Sequence, residues 1–143
     1  LSAHGSVSRG LCKLNQSELC SVEEWSEISR SIDGIEGTNS AGLSCSLSGD
    51  EVVSMNVWAF PPRVFSLLEN GIIDFFQTST DLAKDEFYLP AAVDNWISSG
   101  LAFFYAQLAS CQWMGVTYRE DKPVVVDTIQ EMIAKGEYPA SLF

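Results

Sequence analysis

Histidine is almost absent: His4 is the single one among 143 residues. Basic residues are scarce too, with eight Lys and Arg against 19 Asp and Glu and a formal net charge of −11. That imbalance argues against broad nucleic-acid binding, which needs clustered cations along a phosphate backbone. It leaves room for a small anionic ligand, which a helix N-terminus and a divalent metal can hold locally. The four cysteines (Cys12, Cys20, Cys45, Cys111) form no C-x-x-C pair. With one His and no paired Cys, a zinc site is not expected. An even cysteine count permits disulfides. Three of the four fall in apparent strands among apolar neighbours, so buried free thiols in a reducing, cytoplasmic compartment are the expectation. No run of 18 apolar residues occurs, and a membrane-spanning helix is not expected. The opening residues carry no signal-peptide pattern, and the chain does not begin with Met, as a processed or truncated product would not. A Gly-rich phosphate loop and a Ser/His/Asp set are also missing, so a complete active site is hard to build from these residues alone.

What is present suits one globular domain spanning 1–143. The hydrophobic fraction is 46% and the charged fraction 19%. Residues 11–15 and 18–28 alternate as strands, and Asn15-Gln16-Ser17 between them has turn chemistry, so a hairpin is predicted. In the second strand Glu23 and Glu24 must point to opposite faces. Residues 29–50 are rich in Ser, Gly, Asp and Asn and read as an excursion with one short hairpin at most.

Val52 to Phe60 is the stretch around which the rest is predicted to assemble. Val53, Met55, Val57 and Ala59 fall on one face, and Val52, Ser54, Asn56, Trp58 and Phe60 on the other. Both faces are mostly apolar, which predicts a central strand covered on both sides. Asn56 interrupts it, either as a satisfied core amide or as a site residue at the strand's working end. Arg9 is similarly open between a surface charge and a guanidinium that orients a carboxylate or phosphate.

Pro61-Pro62 predicts a helix start, followed by Val64, Phe65, Leu68, Ile72, Phe75 and Phe76 at helical spacing, with the aromatic residues in the core. A second helix carries Val93, Trp96 and Ile97 on one face, with Gly100 as its C-terminal cap. Strands are predicted over 101–108 and 113–118. Asp121 is read as the cap of a third helix whose inner face holds Val125, Ile129, Met132 and Ile133, closed by Lys135 and Gly136. The fold class expected is α/β, a mixed sheet with flanking helices.

Four stretches in order carry a resemblance. They are Gly5-Ser6-Val7-Ser8-Arg9-Gly10, then Val52 and Ser54-Met55-Asn56 with Trp58 and Phe60, then Glu86-Phe87-Tyr88-Leu89-Pro90, then Trp113-Met114-Gly115-Val116-Thr117-Tyr118. Together they resemble the C-terminal part of the sugar-phosphate nucleotidyltransferases, which include hexose-1-phosphate uridylyl- and thymidylyltransferases. The likeness extends through Asp121-Lys122-Pro123 to Glu137-Tyr138-Pro139 and lies nearest to bacterial members. It implies the C-terminal portion of a Rossmann-like nucleotidyltransferase fold, the acceptor-binding half, with the nucleotide-binding half absent. Such enzymes transfer a nucleotidyl group from a nucleoside triphosphate to a sugar phosphate or similar acceptor and release pyrophosphate. Magnesium offsets the phosphate charge. Carried over by position, the resemblance implies Asn56 as a metal ligand, Glu24 as the residue that holds acceptor hydroxyls, with Glu23 as a competing register, and Trp58, Tyr88, Trp113 and Gly115 around the acceptor pocket. Many relatives follow the strand Glu with a phosphate-binding Lys, where this chain has Ser26 and Glu27. A chain lacking its partner half is expected to be inactive alone, and to expose an apolar face or sheet edge that favours homo-oligomers. Two alternatives stand beside this reading: a non-catalytic binding or assembly module that keeps the half-fold, and a small acidic interaction domain with an accidental likeness.

Overall fold

The computed structural model describes residues 1, 5–111 and 113–141, so His4 lies outside the described residues. Four strands form one antiparallel sheet in the order β1-β2-β3-β4: β1 (Val7–Asn15), β2 (Glu18–Ser31), β3 (Gly34–Thr38) and β4 (Ser44–Leu47). Three helices follow: α1 (Val64–Thr78), α2 (Leu89–Ser98) and α3 (Asp121–Ala134). The architecture is mixed α and β, as expected from the sequence, but every pair of named strands is antiparallel.

The β1–β2 hairpin turns at Gln16-Ser17, where Gln16 takes a left-handed φ of 56°. β2 is longer than predicted because it serves two partners. It pairs β1 from Glu18 to Ile28 along one edge, and its last part, Ser26 to Ser31, pairs β3 along the other. Between the pairs Arg9↔Trp25 and Val7↔Ile28, two β2 residues oppose one on β1. This is a β-bulge at Ser26-Glu27, and Glu27 has φ 53°. The polar stretch 29–50 is therefore mostly sheet. Ser and Gly masked strand pairing there, since β3 and β4 face solvent on alternate residues and need few apolar side chains.

The predicted central strand is not one. Only Val53 forms a bridge, to Leu11, flanked by Cys12 N–H donating to Val52 O (2.8 Å) and Ser54 N–H to Gly10 O (2.7 Å). Asn56 then takes a left-handed φ of 55°, which ends any extended run, and Val57 is 86% exposed. Asn is among the few residues that adopt this region at low cost. Nor are 101–108 and 113–118 regular strands. The first is extended and meets β2 through one bridge, Glu18↔Tyr105; the second is irregular over 113–116 and bends at 117–118.

The core lies between the β1–β2 hairpin and α2. Val22 and Val93 are fully buried, with Leu19, Val64, Trp96 and Ala102 around them. Each buried Val or Leu side chain contributes roughly 1.5–3 kcal/mol through burial. Trp58, Phe60, Trp96 and Phe104 add a ring cluster with centroids 5.9–6.5 Å apart in stacked and edge-on pairs. α2 begins with Pro90 in its first turn and ends in a Schellman motif: Leu101 N–H donates to Trp96 O (2.8 Å) and Gly100 N–H to Ile97 O (3.0 Å). Gly100 has the φ of 67° that this cap requires.

The other two helices bury less than predicted. On α1 only Val64 is buried, and Phe65 and Phe76 are exposed rather than in the core. α3 has no buried residue, so the face predicted from Val125, Ile129, Met132 and Ile133 meets no core. An apolar helical stripe shows that a surface needs covering; it does not supply the cover. Asp121 does not cap α3. It is the first helical residue, and its Oδ2 accepts from Thr117 N–H (3.0 Å) and Tyr118 N–H (2.8 Å), fastening the preceding turn. All four cysteines are free thiols. Cys12, Cys20 and Cys45 sit in strands, but none is buried as expected: Cys12 and Cys45 are half-buried, Cys20 and Cys111 exposed.

Candidate functional site

Antiparallel pairing opposes Gly10 to Glu24 and Leu11 to Glu23, which separates the two carboxylates. Glu23 is a tether. Its Oε1 accepts from Ser40 Oγ (2.6 Å) and Ser40 N–H (3.2 Å), and its Oε2 accepts from Trp25 Nε1 (2.9 Å). These bonds, the Ser40 hydroxyl foremost, hold its pKa below the ordinary value. Glu24 points the other way, into a cleft of about 190 Å³. Burial pushes its carboxyl upward, opposed by the nearby positive charge of Arg9.

Five stretches line this cleft: Ser8, Arg9 and Gly10 from β1; Glu24 from β2; Ser54, Met55 and Asn56 from the segment that follows β4; Pro90 from the first turn of α2; and Trp113. Gly10 forms its floor, where a Cβ would meet Val22 Cγ2 at 3.2 Å, Ser54 Cβ at 3.3 Å and Glu24 Oε2 at 3.5 Å. The Arg9 guanidinium lies over the Trp113 ring, 4.5 Å from its centroid, and donates from Nη1 to Ser8 O (2.7 Å). Gly115 packs so closely under Trp113 that a Cβ there would overlap the indole. The turn carrying Trp113 is held over β1 by Tyr118, whose hydroxyl donates to Ser6 O (2.7 Å).

The structure thus brings together Glu24, Asn56 and Trp113, with Gly115 behind the indole, and adds Arg9, which the sequence left open. Asn56 stands at a turn rather than a strand end. Its backbone N–H donates to Ser54 Oγ (3.0 Å), and its Oδ1 accepts from Trp58 Nε1 (2.8 Å). That bond shows where Trp58 is: its ring stacks on Phe60 in the aromatic cluster and does not line the cleft. Tyr88, the residue before α2, does not line it either. Its hydroxyl is raised in pKa by Glu86 first and by Glu24 to a lesser degree.

The donor set bears on magnesium. Glu24 is the one carboxylate lining the cleft, and Asn56 Oδ1 already accepts a hydrogen bond. Among the described residues no group of three or more His, Cys, Asp or Glu comes together as a metal cage. Such a site fits an ion carried mainly by phosphate oxygens, not one held by the protein alone.

Two further concavities escaped sequence reasoning. One, of about 290 Å³, lies beside α1 and is lined mostly by apolar side chains, with Arg63 and Tyr105 among them. The other is a broad groove of about 1320 Å³ reaching from Val7 and Arg9 to Arg30 and the 47–51 turn. The groove exists because β2 extends past β1 to reach β3, which no local pattern announced. No protein-family model matches the chain, and no curated protein matches it. Among the described residues no helix is long and apolar enough to cross a membrane.

Proposed function

We propose that the chain is the acceptor-binding portion of a nucleotidyltransferase that joins a nucleoside triphosphate to a sugar phosphate or a related phosphate and releases pyrophosphate. The observation that carries this reading is the convergence of Arg9, Glu24, Asn56 and Trp113, from four separate stretches, on one small cleft. A cation, a partly desolvated carboxylate, an amide and an indole face are what a polyhydroxylated anion calls for: charge for the phosphate, acceptors for hydroxyls, an apolar face for the ring. Arg9 supplies the positive charge that Ser26 and Glu27 do not. The cleft suits one headgroup and is too small for a whole nucleotide as well. On this reading the four-stranded sheet is one flank of a larger Rossmann-like fold, and the triphosphate and its magnesium bind mainly through residues outside these strands.

Calorimetric titration tests it, with UTP, CTP, dTTP, hexose 1-phosphates and phosphocholine, each with and without magnesium. The expected result is binding of one phosphorylated acceptor, weakened at least about tenfold by Arg9→Ala and by Glu24→Gln, a loss of about 1.4 kcal/mol. No binding of any of them refutes the reading. A second reading, a non-catalytic binding module, is favoured by the single carboxylate of the cleft. Acceptor binding that is indifferent to magnesium and nucleotide supports it.

A further inference from the structure

The segment 101–107 is an edge. Leu19 N–H donates to Phe104 O (2.9 Å) and Ala106 N–H to Ser17 O (2.8 Å), so Phe104 and Ala106 turn these backbone groups toward the start of β2. The backbone groups of Phe103 and Tyr105 therefore point outward, and among the described residues they have no backbone partner. Side chains alternate as well. Ala102 is buried and Phe104 packs on the core, whereas Leu101, Phe103 and Tyr105 are 58%, 75% and 80% exposed. Folded proteins ordinarily blunt such an edge with charge, proline or a bulge. Here no Asp, Glu, Lys, Arg or His occurs from Asn95 to Tyr118, in a chain of net charge −11.

We propose that this edge pairs with the same edge of a second copy of the chain, as a two-fold antiparallel ladder centred on Phe104. The absence of charge selects the occupant. Two strongly acidic chains repel, and a ladder along this stretch sets no charged residue of the edge itself opposite another; the charges beside it, Glu18 next to Tyr105 and Arg63 in the neighbouring concavity, are of opposite sign. The alternation fixes the register. A two-fold axis at residue 104 places Phe103 of one copy opposite Tyr105 of the other, twice, with all their outward N–H and C=O groups exchanged. The cross-strand neighbours are then aromatic pairs, a favourable combination on a sheet face. Leu101, Phe103 and Tyr105 offer roughly 300–500 Å² per copy, taking about 150–250 Å² for each whole side chain. With the paired backbone this approaches the roughly 600 Å² per partner at the small end of specific interfaces. The pairing is independent of the cleft reading, since neither Phe103 nor Tyr105 lines that cleft.

Sedimentation velocity over about 1–200 µM protein tests it with three variants of the chain. The parent is expected to pass from monomer to dimer across this range. Phe103→Lys and Tyr105→Glu should each weaken the dimer at least tenfold, although the first lowers net negative charge and the second raises it. The double variant F103K/Y105E sets Lys opposite Glu twice and should restore the dimer. Far-UV circular dichroism shows that each variant is folded, as expected for exposed positions. A parent that stays monomeric throughout overturns the proposal, as does a dimer indifferent to both single changes. Loss in the singles without recovery in the double overturns the register.

Discussion

Asp94 on α2 closes a gap in the sheet, and its removal should be costly. The far edge of β2 is covered in pieces: by residues 104–106 near Leu19, and by β3 from Ser26 onward. Between them, Val22 N–H donates to Asp94 Oδ1 at 2.8 Å. Val22 is only 1% exposed, so water cannot replace that acceptor without opening the core. In Asp94→Ala a buried N–H is left unsatisfied, which costs roughly 1–3 kcal/mol. The tie between α2 and β2 is lost with it. A loss of about 2 kcal/mol is expected, equivalent to a fall in Tm of roughly 5–8 °C for a chain of this size. In urea the midpoint should drop by about 1 M with an unchanged slope. Asp94→Asn keeps a carbonyl oxygen in place and should retain most of the stability. The Val22 amide, slow to exchange in the parent, should become one of the fast-exchanging amides of β2 in the alanine variant alone. An alanine variant within about 0.5 kcal/mol of the parent would falsify this account, as would an asparagine variant as unstable as alanine.

Glu24→Gln should raise stability at neutral pH, because burial lifts the carboxyl pKa in the fold and so penalises the charged form. The gain should be full above the folded pKa and vanish as pH falls below the ordinary Glu value of about 4.3, read as Tm against pH; a constant difference across pH refutes the assignment. Glu51 titrates the opposite way. Hydrogen bonds from Ser48 N–H above all, with Ser48 Oγ and Gly49 N–H, lower its carboxyl to about 2, so its contribution is present above the ordinary value and lost as pH falls toward 2. Amide shifts of Ser48 and Gly49 should follow that low titration, and a midpoint near 4 for both would count against it. Gly115→Ala should drive the Trp113 indole off Arg9, changing the near-ultraviolet circular dichroism while stability moves by about 0.5 kcal/mol or less. An unchanged spectrum would show that the indole does not rest on that glycine.

What could be read from the sequence was local. The β1–β2 hairpin follows from Asn15-Gln16-Ser17 between alternating runs, α2 from Pro90 and Gly100 at its ends, and α3 from Lys135 and Gly136 at its close. Each is written within a few residues of where it acts. The failures have one cause, that apolar residues announce burial without naming a partner. Val52–Phe60 reads as a two-sided strand because both its faces are apolar, yet one left-handed residue, Asn56, breaks it, and its aromatic side chains join a ring cluster instead. Phe65 and Phe76 have the spacing of a buried face and remain exposed. The choice between Glu23 and Glu24 needed the register against β1, which is a property of two strands together.

The same distinction explains why the cleft was only half legible. Its residue types could be picked out singly, but Arg9 could not be separated from an ordinary surface charge. Its placement depends on the bulge at Ser26-Glu27, which re-aims β2 next to the Arg9↔Trp25 pair, and on a turn far along the chain that brings Trp113 under the guanidinium. That turn is fastened on its C-terminal side, by Tyr118 bonding Ser6 O and by Asp121 accepting from residues 117 and 118. Two side chains that cover no core thus set the roof of the cleft. Positions of this kind change a site without changing stability, so the roof, and not Gly10 at the floor, is where ligand preference can shift at little cost to the fold. Gly10 is pressed between Val22 and Ser54, and any side chain there strains the core and the site at once.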